Sequence, residues 1–488
     1  MNFNSFEFLV FLLVVVLLYW FLPHKTRWAM LLIASYVFYM SWNVWLIVLI
    51  MITTVTAYGF ALGIERTQNR RFKKLFLAIT LIICLGLLIF FKYINFILES
   101  AIGVIRLFNA EQDDIVLNVI LPVGISFYTF QTLSYVIDVY RGDYKAEKHF
   151  GYFALYVTYF PQLVAGPIER PQNLLPQLRE EHKFNEEDIH AGGKLLLSGF
   201  FRKCVVADFC GIFVNKTYEN LGSSSGCAVF IASGLFLIQI YNDFAGYSEI
   251  ALGSARLMGV KLSTNFDKPL TSTSYTEFFR RWHITLNQWF TQYVYRPLGG
   301  NRKGVVRKIL NTLIVFALSG LWHGANWTFV LWGLTMGIMV SVETLLRKPF
   351  AKLCESAKVD LENSSLKLIR QIIMLLLFTL SSVLFRSQNI AGVGIAFKQI
   401  FTAWDGIEKA MSDLGMNGWQ IIQLVLFIVA MGLLYKLPQE NKKETLPLLK
   451  ESTAVNIGVF VYGIMAITLC WLGLLAMGDV SAFQYFQF

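Results

Sequence analysis

The sequence predicts an all-α polytopic membrane protein with about 11–12 transmembrane helices plus re-entrant or interfacial helices. Three observations carry that expectation. Of the 488 residues, 56% are apolar and only 15% are charged, against roughly 25% charged in a soluble chain. The mean hydropathy is +0.54. A spanning helix needs roughly 20 apolar residues, and the chain holds material for about a dozen. The 11 Pro and 35 Gly show no period, and 42 Phe is far too many for a disordered chain. Soluble, fibrous and disordered classes are excluded together.

The net charge of +10 reads as cytoplasmic loops rather than nucleic-acid binding, because Lys and Arg accumulate on the cytoplasmic side of membrane proteins. Cys84, Cys204, Cys210, Cys227, Cys354 and Cys470 are scattered without CxxC or Cys/His spacing. Neither a disulfide framework nor a metal site is expected.

The segments follow in order. Phe6–Leu22 starts with acidic Glu7, has no basic n-region and is followed by no small-residue cleavage site, so it reads as a retained first span. His24–Arg27 is basic, and Arg66–Lys74 holds five cations. Trp28–Gly63 between them should therefore leave and return as a hairpin, turning at Ser41-Trp42-Asn43. That places the N-terminus outside. Leu75–Leu98 crosses to an acidic loop with Glu99, Glu111, Asp113 and Asp114, and Leu117–Val139 returns. Gly151–Ala165 is short and ends in Phe160-Pro161-Gln162 and Gly166-Pro167, which fits a re-entrant or interfacial segment covered by protein. Residues 166–192 read as a cytoplasmic loop or surface helix. Spans near 194–214 and 227–247 follow, the first carrying Arg202 and Lys203.

Residues 256–308 hold ten basic and only two acidic side chains, a difference that is most of the protein's net charge. The same stretch is rich in aromatics. Spans near 310–322 and 327–345 form a second hairpin, and spans near 371–385, 419–435 and 454–477 leave the C-terminus outside.

Two of the six histidines point to chemistry. His323, within Leu321-Trp322-His323-Gly324-Ala325-Asn326-Trp327, lies between two apolar runs and so at membrane depth. An ionisable group there is costly and is a functional candidate by default. An imidazole with an ordinary pKa near 6.5 suits a general base near neutral pH. The bland alternative is a neutral histidine hydrogen-bonded to a neighbouring helix. His283, within Phe279-Arg280-Arg281-Trp282-His283, precedes Asn287 by one helical turn. Its arginines read either as snorkelling to lipid phosphates or as forks for an anionic cytoplasmic donor. A third cluster, Gln239–Glu249 with Asn242, Asp243 and Tyr247, lines a polar cavity or marks the membrane edge. His24, His149, His182 and His190 sit in polar loops and read as surface residues. Walker and HExxH patterns are absent, which excludes ATP-driven transport and a metalloprotease.

At these residues the chain resembles the membrane-bound O-acyltransferases (MBOAT), in the bacterial branch typified by the alginate O-acetylation membrane protein. The D-alanine transfer protein of teichoic acid synthesis is a relative. The stretches that carry the likeness run in order through the chain: Leu121–Gln131, Phe160–Ile168, Asp243–Ala251, Arg280–His283, Tyr295–Gly304, Leu321–Trp327 and the closing Tyr485-Phe486-Gln487-Phe488. The likeness implies one MBOAT domain over residues 1–488, with the basic segment at 256–308 on the cytoplasmic or interfacial side and the catalytic hairpin at 309–345. It implies His323 as the catalytic histidine and His283 as the second family histidine. Thr291-Gln292-Tyr293 stands where the family often has Arg-Asp-Tyr, and Glu249 where it commonly has Asp; the first departure bears on donor or partner preference.

The expected reaction moves an acetyl group from a cytoplasmic thioester, acetyl-CoA or an acyl carrier protein, across the bacterial inner membrane onto an extracytoplasmic polysaccharide. No tightly bound cofactor and no nucleic acid are expected; the partners are membrane lipid, the donor, the acceptor and an extracytoplasmic acetyltransferase. Arg280 and Arg281 would hold donor phosphates, and Asn326, Trp327 or backbone N–H groups at Gly324 would stabilise the oxyanion. Asn287, Trp322, Asp243 and Tyr247 complete the candidate site. The alternatives are D-alanyl transfer to teichoic acid from a carrier protein or, in other classes, a polymer or lipid transporter or a scaffold.

Overall fold

The computed structural model describes residues 1–108, 113, 115–360, 363–436, 462–466 and 468. Every regular element among them is helical. Among the described residues, six helical stretches are long and apolar enough to cross a membrane, or seven if a pair bent by 82° counts as one span. Two further apolar helices, Phe6–Phe21 and Ile390–Thr402, are shorter than that length, and most of the span expected at 454–477 lies outside the described residues. The run at Leu117–Val139 becomes a helix only from Ile125, because Gly124 stands at φ +75° just after Pro122.

The chain divides into two compact units. The first, residues 1–193 with 250–264, contains α1 (Phe6–Phe21), α2 (His24–Met40), α3 (Ile47–Arg66), α4 (Arg70–Leu88), α5 (Ile94–Leu107), α6 (Ile125–Arg141), α7 (Phe150–Thr158) and α8 (Pro171–Arg179). The Ser41–Asn43 turn ends α2, and the Asn43 side chain accepts from the Trp45 N–H at 3.0 Å. A π-helical turn, Ile89–Tyr93, joins α4 to α5. Helix α6 is the centre of this unit, with nearly every residue from Ile125 to Val139 buried. The expected re-entrant segment is the nine-residue α7 followed by a buried, non-helical run. Its backbone polar groups are met by side chains: Gln131 Nε2 and Gln162 Nε2 donate to the Tyr156 carbonyl at 2.6 and 3.0 Å.

The second unit comprises residues 194–249 and 265 onward. Helix α9 (Glu186–Phe200) enters it and runs through a π-helical turn, Phe201–Ala207, into α10 (Asp208–Glu219). The 31-residue α11 (Gly226–Arg256) follows, with its residues to Glu249 in this unit. Two short helices, α12 (Tyr275–Arg281) and α13 (Ile284–Phe290), precede the hairpin of α14 (Gly304–His323) and α15 (Trp327–Ser356). Then come α16 (Ser364–Arg386), α17 (Ile390–Thr402), α18 (Ile407–Leu414) and α19 (Gly418–Lys436). Of the span expected at 454–477, only 462–466 and 468 are described, as helix. The rest of that span, the Tyr485–Phe488 motif, the C-terminus, Cys470, Glu111 and Asp114 lie outside the described residues.

Candidate active site

His323 is the last residue of α14, and the hairpin that holds it is packed through glycines. A Cβ on Gly320 would overlap the Phe329 carbonyl oxygen, and one on Gly333 would overlap that of Phe316. The two backbones therefore touch where any side chain would force them apart. A Cβ on Gly324 would overlap the Phe329 ring, so the chain turns sharply just after the histidine. Asn326 then caps α15, its Oδ1 accepting from the Thr328 N–H at 3.0 Å.

This turn delivers His323 into a small aromatic pocket. The walls are Phe236, Ile240 and Phe244 from α11, Trp282, Trp332 from α15, and Phe378, Ser382 and Phe385 from α16. The imidazole centre lies 5.2 Å from Trp322, 5.4 Å from Trp332 and 5.4 Å from Phe385, edge-on to each. His283 stands at φ +43° just ahead of α13, 4.6 Å from Phe244 and 5.7 Å from Trp322. One indole thus borders both histidines. Burial, reinforced by His323, holds the His283 imidazole well below the usual histidine range.

The other candidate residues divide between the pocket and its supports. Asn287 Nδ2 donates to the Phe279 and Trp282 carbonyls at 2.8 and 2.6 Å, so its amide closes the turn that presents His283. Arg280 is exposed; Arg281 pairs with Glu277 at 2.7 Å and donates to Thr271 Oγ1 at 3.0 Å. Asn326 Nδ2 donates to the Gln388 carbonyl at 2.8 Å, so both ends of its amide are engaged in structure. The Gly324 N–H is directed at the Gly320 carbonyl, and Trp327 is half exposed.

Asp243 does not line the pocket: it forms an ion pair with Lys203 at 2.9 Å, and Lys203 also reaches Asp208 at 2.7 Å. Arg202 Nε meets the Glu249 carboxylate at 2.9 Å, and Ser198 Oγ donates to the same carboxylate at 2.6 Å. Both cations sit on the π-helical turn, whose extra residue places two consecutive long side chains toward α11. Tyr247 is buried one turn beyond Asp243.

Sequence reasoning missed Trp332, Phe378 and Phe385 as pocket walls, for no local pattern marks an apolar residue that packs on a histidine of another helix.

The model of the membrane-bound O-acyltransferase family matches residues 148–376, a range that contains all nine candidate residues. The "probable alginate O-acetylase" AlgI of Azotobacter vinelandii is 34% identical over 438 residues, covering 88% of this chain and 84% of that protein. The chain belongs to the membrane-bound O-acyltransferase family. It is a multi-pass membrane O-acyltransferase, and it consumes an acyl donor. Two further relatives differ in what their names record. A peptidoglycan O-acetyltransferase of Helicobacter pylori is 35% identical over 338 residues, 64% of this acyltransferase and 63% of that one. A teichoic acid D-alanyltransferase of Streptococcus thermophilus is 30% identical over 249 residues, 46% of this chain and 58% of the relative.

Proposed function

We propose that the acyltransferase moves an acetyl group from a cytoplasmic thioester, of CoA or of an acyl carrier protein, through the membrane for O-acetylation of an extracytoplasmic, alginate-like polysaccharide. His323 acts as general base. The observation that supports this is the position of the His323 imidazole, at a chain turn and inside an aromatic pocket. The imidazole takes the proton of the attacking hydroxyl as the new O–C bond forms at the thioester carbonyl. The C–S bond then breaks, and the proton passes to the leaving thiolate. Such a base contributes roughly 10²–10⁴-fold. Trp322 orients His323 and shares a wall with His283, which stays neutral. Arg280 and Arg281 hold donor phosphates; Asn287 and Asn326 hold the two turns that carry the histidines, and Asp243 and Tyr247 steady α11.

The whole chain works as one transmembrane domain of the bacterial cytoplasmic membrane, with its N-terminus and C-terminus outside. The acetyl group passes to a separate extracytoplasmic acetyltransferase or straight to the polymer. D-alanyl transfer is the second reading, favoured by the D-alanyltransferase relative; the acetylase match covers 84% of its relative against 58%.

The test compares surface-polymer esters in cells with wild type or His323→Ala at matched membrane levels. Acetate and D-alanine released by mild alkali are quantified separately. Loss of acetate alone supports the proposal, loss of D-alanine moves the chain to the second reading, and persistence of both removes His323 from catalysis.

A further inference from the structure

Helix α16 measures the pocket from one end to the other. Near its middle, the Met374 carbonyl accepts from the Tyr275 hydroxyl at 3.4 Å, and the Phe378 ring lies 4.7 Å from Phe278 and 6.3 Å from Trp282. Arg280 and Arg281, which end α12, belong to this level. Farther along, Phe385 packs on His323 at 5.4 Å, and Arg386 ends the helix. At 1.5 Å per residue, Met374 and Arg386 are about 18 Å apart along the axis. Arg386 is therefore at the far side of the pocket from the arginines assigned to the donor.

Its surroundings are unusual for a cation at a helix end. Arg386 is half-buried, and its guanidinium lies over the Tyr218 ring at 5.2 Å. Nη2 donates to Asn215 Oδ1 at 2.8 Å, and the Tyr218 hydroxyl is itself tied to Ser233 Oγ at 2.9 Å. The side chain is thus drawn toward α10 by neutral partners, not extended toward lipid headgroups as a snorkelling arginine would be. No carboxylate lies within ion-pair distance of it among the described residues, and its Nε finds no acceptor there. Glu219, at the end of α10, acts on it only from beyond ion-pair distance, and a half-buried guanidinium without a contacting counter-ion is costly unless an anion completes it. The Gln388 carbonyl two residues on accepts from Asn326, which ties this end of α16 to the turn after His323.

We propose that Arg386, positioned by Asn215 and Tyr218, binds a carboxylate of the acceptor sugar chain and so presents a neighbouring hydroxyl to His323. This rests on the acceptor-side reading given under Proposed function. Arginine suits the role because its fork pairs with a carboxylate through two hydrogen bonds.

The experiment reads binding rather than turnover. The full-length protein is placed in phosphatidylcholine nanodiscs and titrated with an oligosaccharide of six hexuronate units and with its carboxyl-reduced, neutral counterpart. Wild type is expected to prefer the acidic chain by about tenfold or more, the range of a charge-assisted pair. Arg386→Gln should abolish that preference, Arg386→Lys should keep part of it, and His323→Ala should keep all of it. Thermal unfolding of each variant shows that it is folded. Equal binding of acidic and neutral chains by wild type, or a preference that survives in Arg386→Gln, overturns the proposal. Repeating the titration in phosphatidylglycerol nanodiscs separates a second anion source: if the variant changes retained lipid but not saccharide binding, Arg386 is a headgroup site and the proposal fails. An acidic preference that depends on Arg386 while no acyl transfer is found in any assay leaves this site standing and removes the acetylation reading.

Discussion

Lys203 Nζ lies 2.9 Å from the Asp243 carboxylate, and both side chains are only 1% exposed. An ion pair buried to that degree is weak evidence of stability in itself, since removing two charges from water costs several kcal/mol. The dependence is one-sided: the Asp243 carboxylate has no water to fall back on, whereas Lys203 keeps Asp208 at 2.7 Å.

Removing the lysine alone should therefore hurt more than removing both partners. Lys203→Met alone is expected to destabilise the protein by about 3–5 kcal/mol and Asp243→Leu by less, since Asp208 still holds the ammonium, while the double variant should recover much of the Lys203→Met loss. Melting temperatures of the four forms in detergent decide it; additive losses would show that the two residues act separately.

The glycine contact between α14 and α15 predicts a second asymmetry. Gly333→Ala must displace the Phe316 carbonyl and is expected to cost about 1–3 kcal/mol, with a parallel loss of ester product as His323 shifts. Gly86→Ala, in α4, meets nothing within 4 Å and should be neutral or stabilising by about 0.5–1 kcal/mol. A fluorescence-detected melt of both variants is the check.

Asn326 holds two bonds with one amide, and they separate by substitution. Asn326→Ala loses the cap and the bond to Gln388, and should cost about 1–2 kcal/mol. Asn326→Asp keeps an oxygen for the Thr328 N–H but cannot donate to the Gln388 carbonyl. It should retain the helix and lose activity to an intermediate level, read as ester content at matched expression.

Arg280→Gln with Arg281→Gln should raise the donor KM about tenfold and leave kcat nearly unchanged, and the effect should shrink at high salt. Steady-state kinetics at two ionic strengths test this. An unchanged KM would confine Arg281 to its pair with Glu277.

Much of this protein was legible in its sequence. Hydropathy is a local property, so the membrane class, the Ser41–Asn43 turn and the α14–α15 hairpin followed from runs and breaks. Motif order gave the family, and the surroundings of His283 and His323 marked them as candidates. Breaks at Pro and Gly were harder: Pro122 and Gly124 delay α6 until Ile125, which apolar content alone did not indicate.

Only the tertiary structure decided who meets whom. The acids of Gln239–Glu249 suggested a polar cavity, yet Asp243 and Glu249 are matched to Lys203 and Arg202 on another helix. Phe385 became a wall of the His323 pocket, and Asn326 a cap rather than a free donor. Periodicity records which face of a helix is apolar, and composition records how much of it there is. Neither carries the pairing, because partners distant in sequence are chosen by packing, where every buried charge must find its opposite and every ring its neighbour.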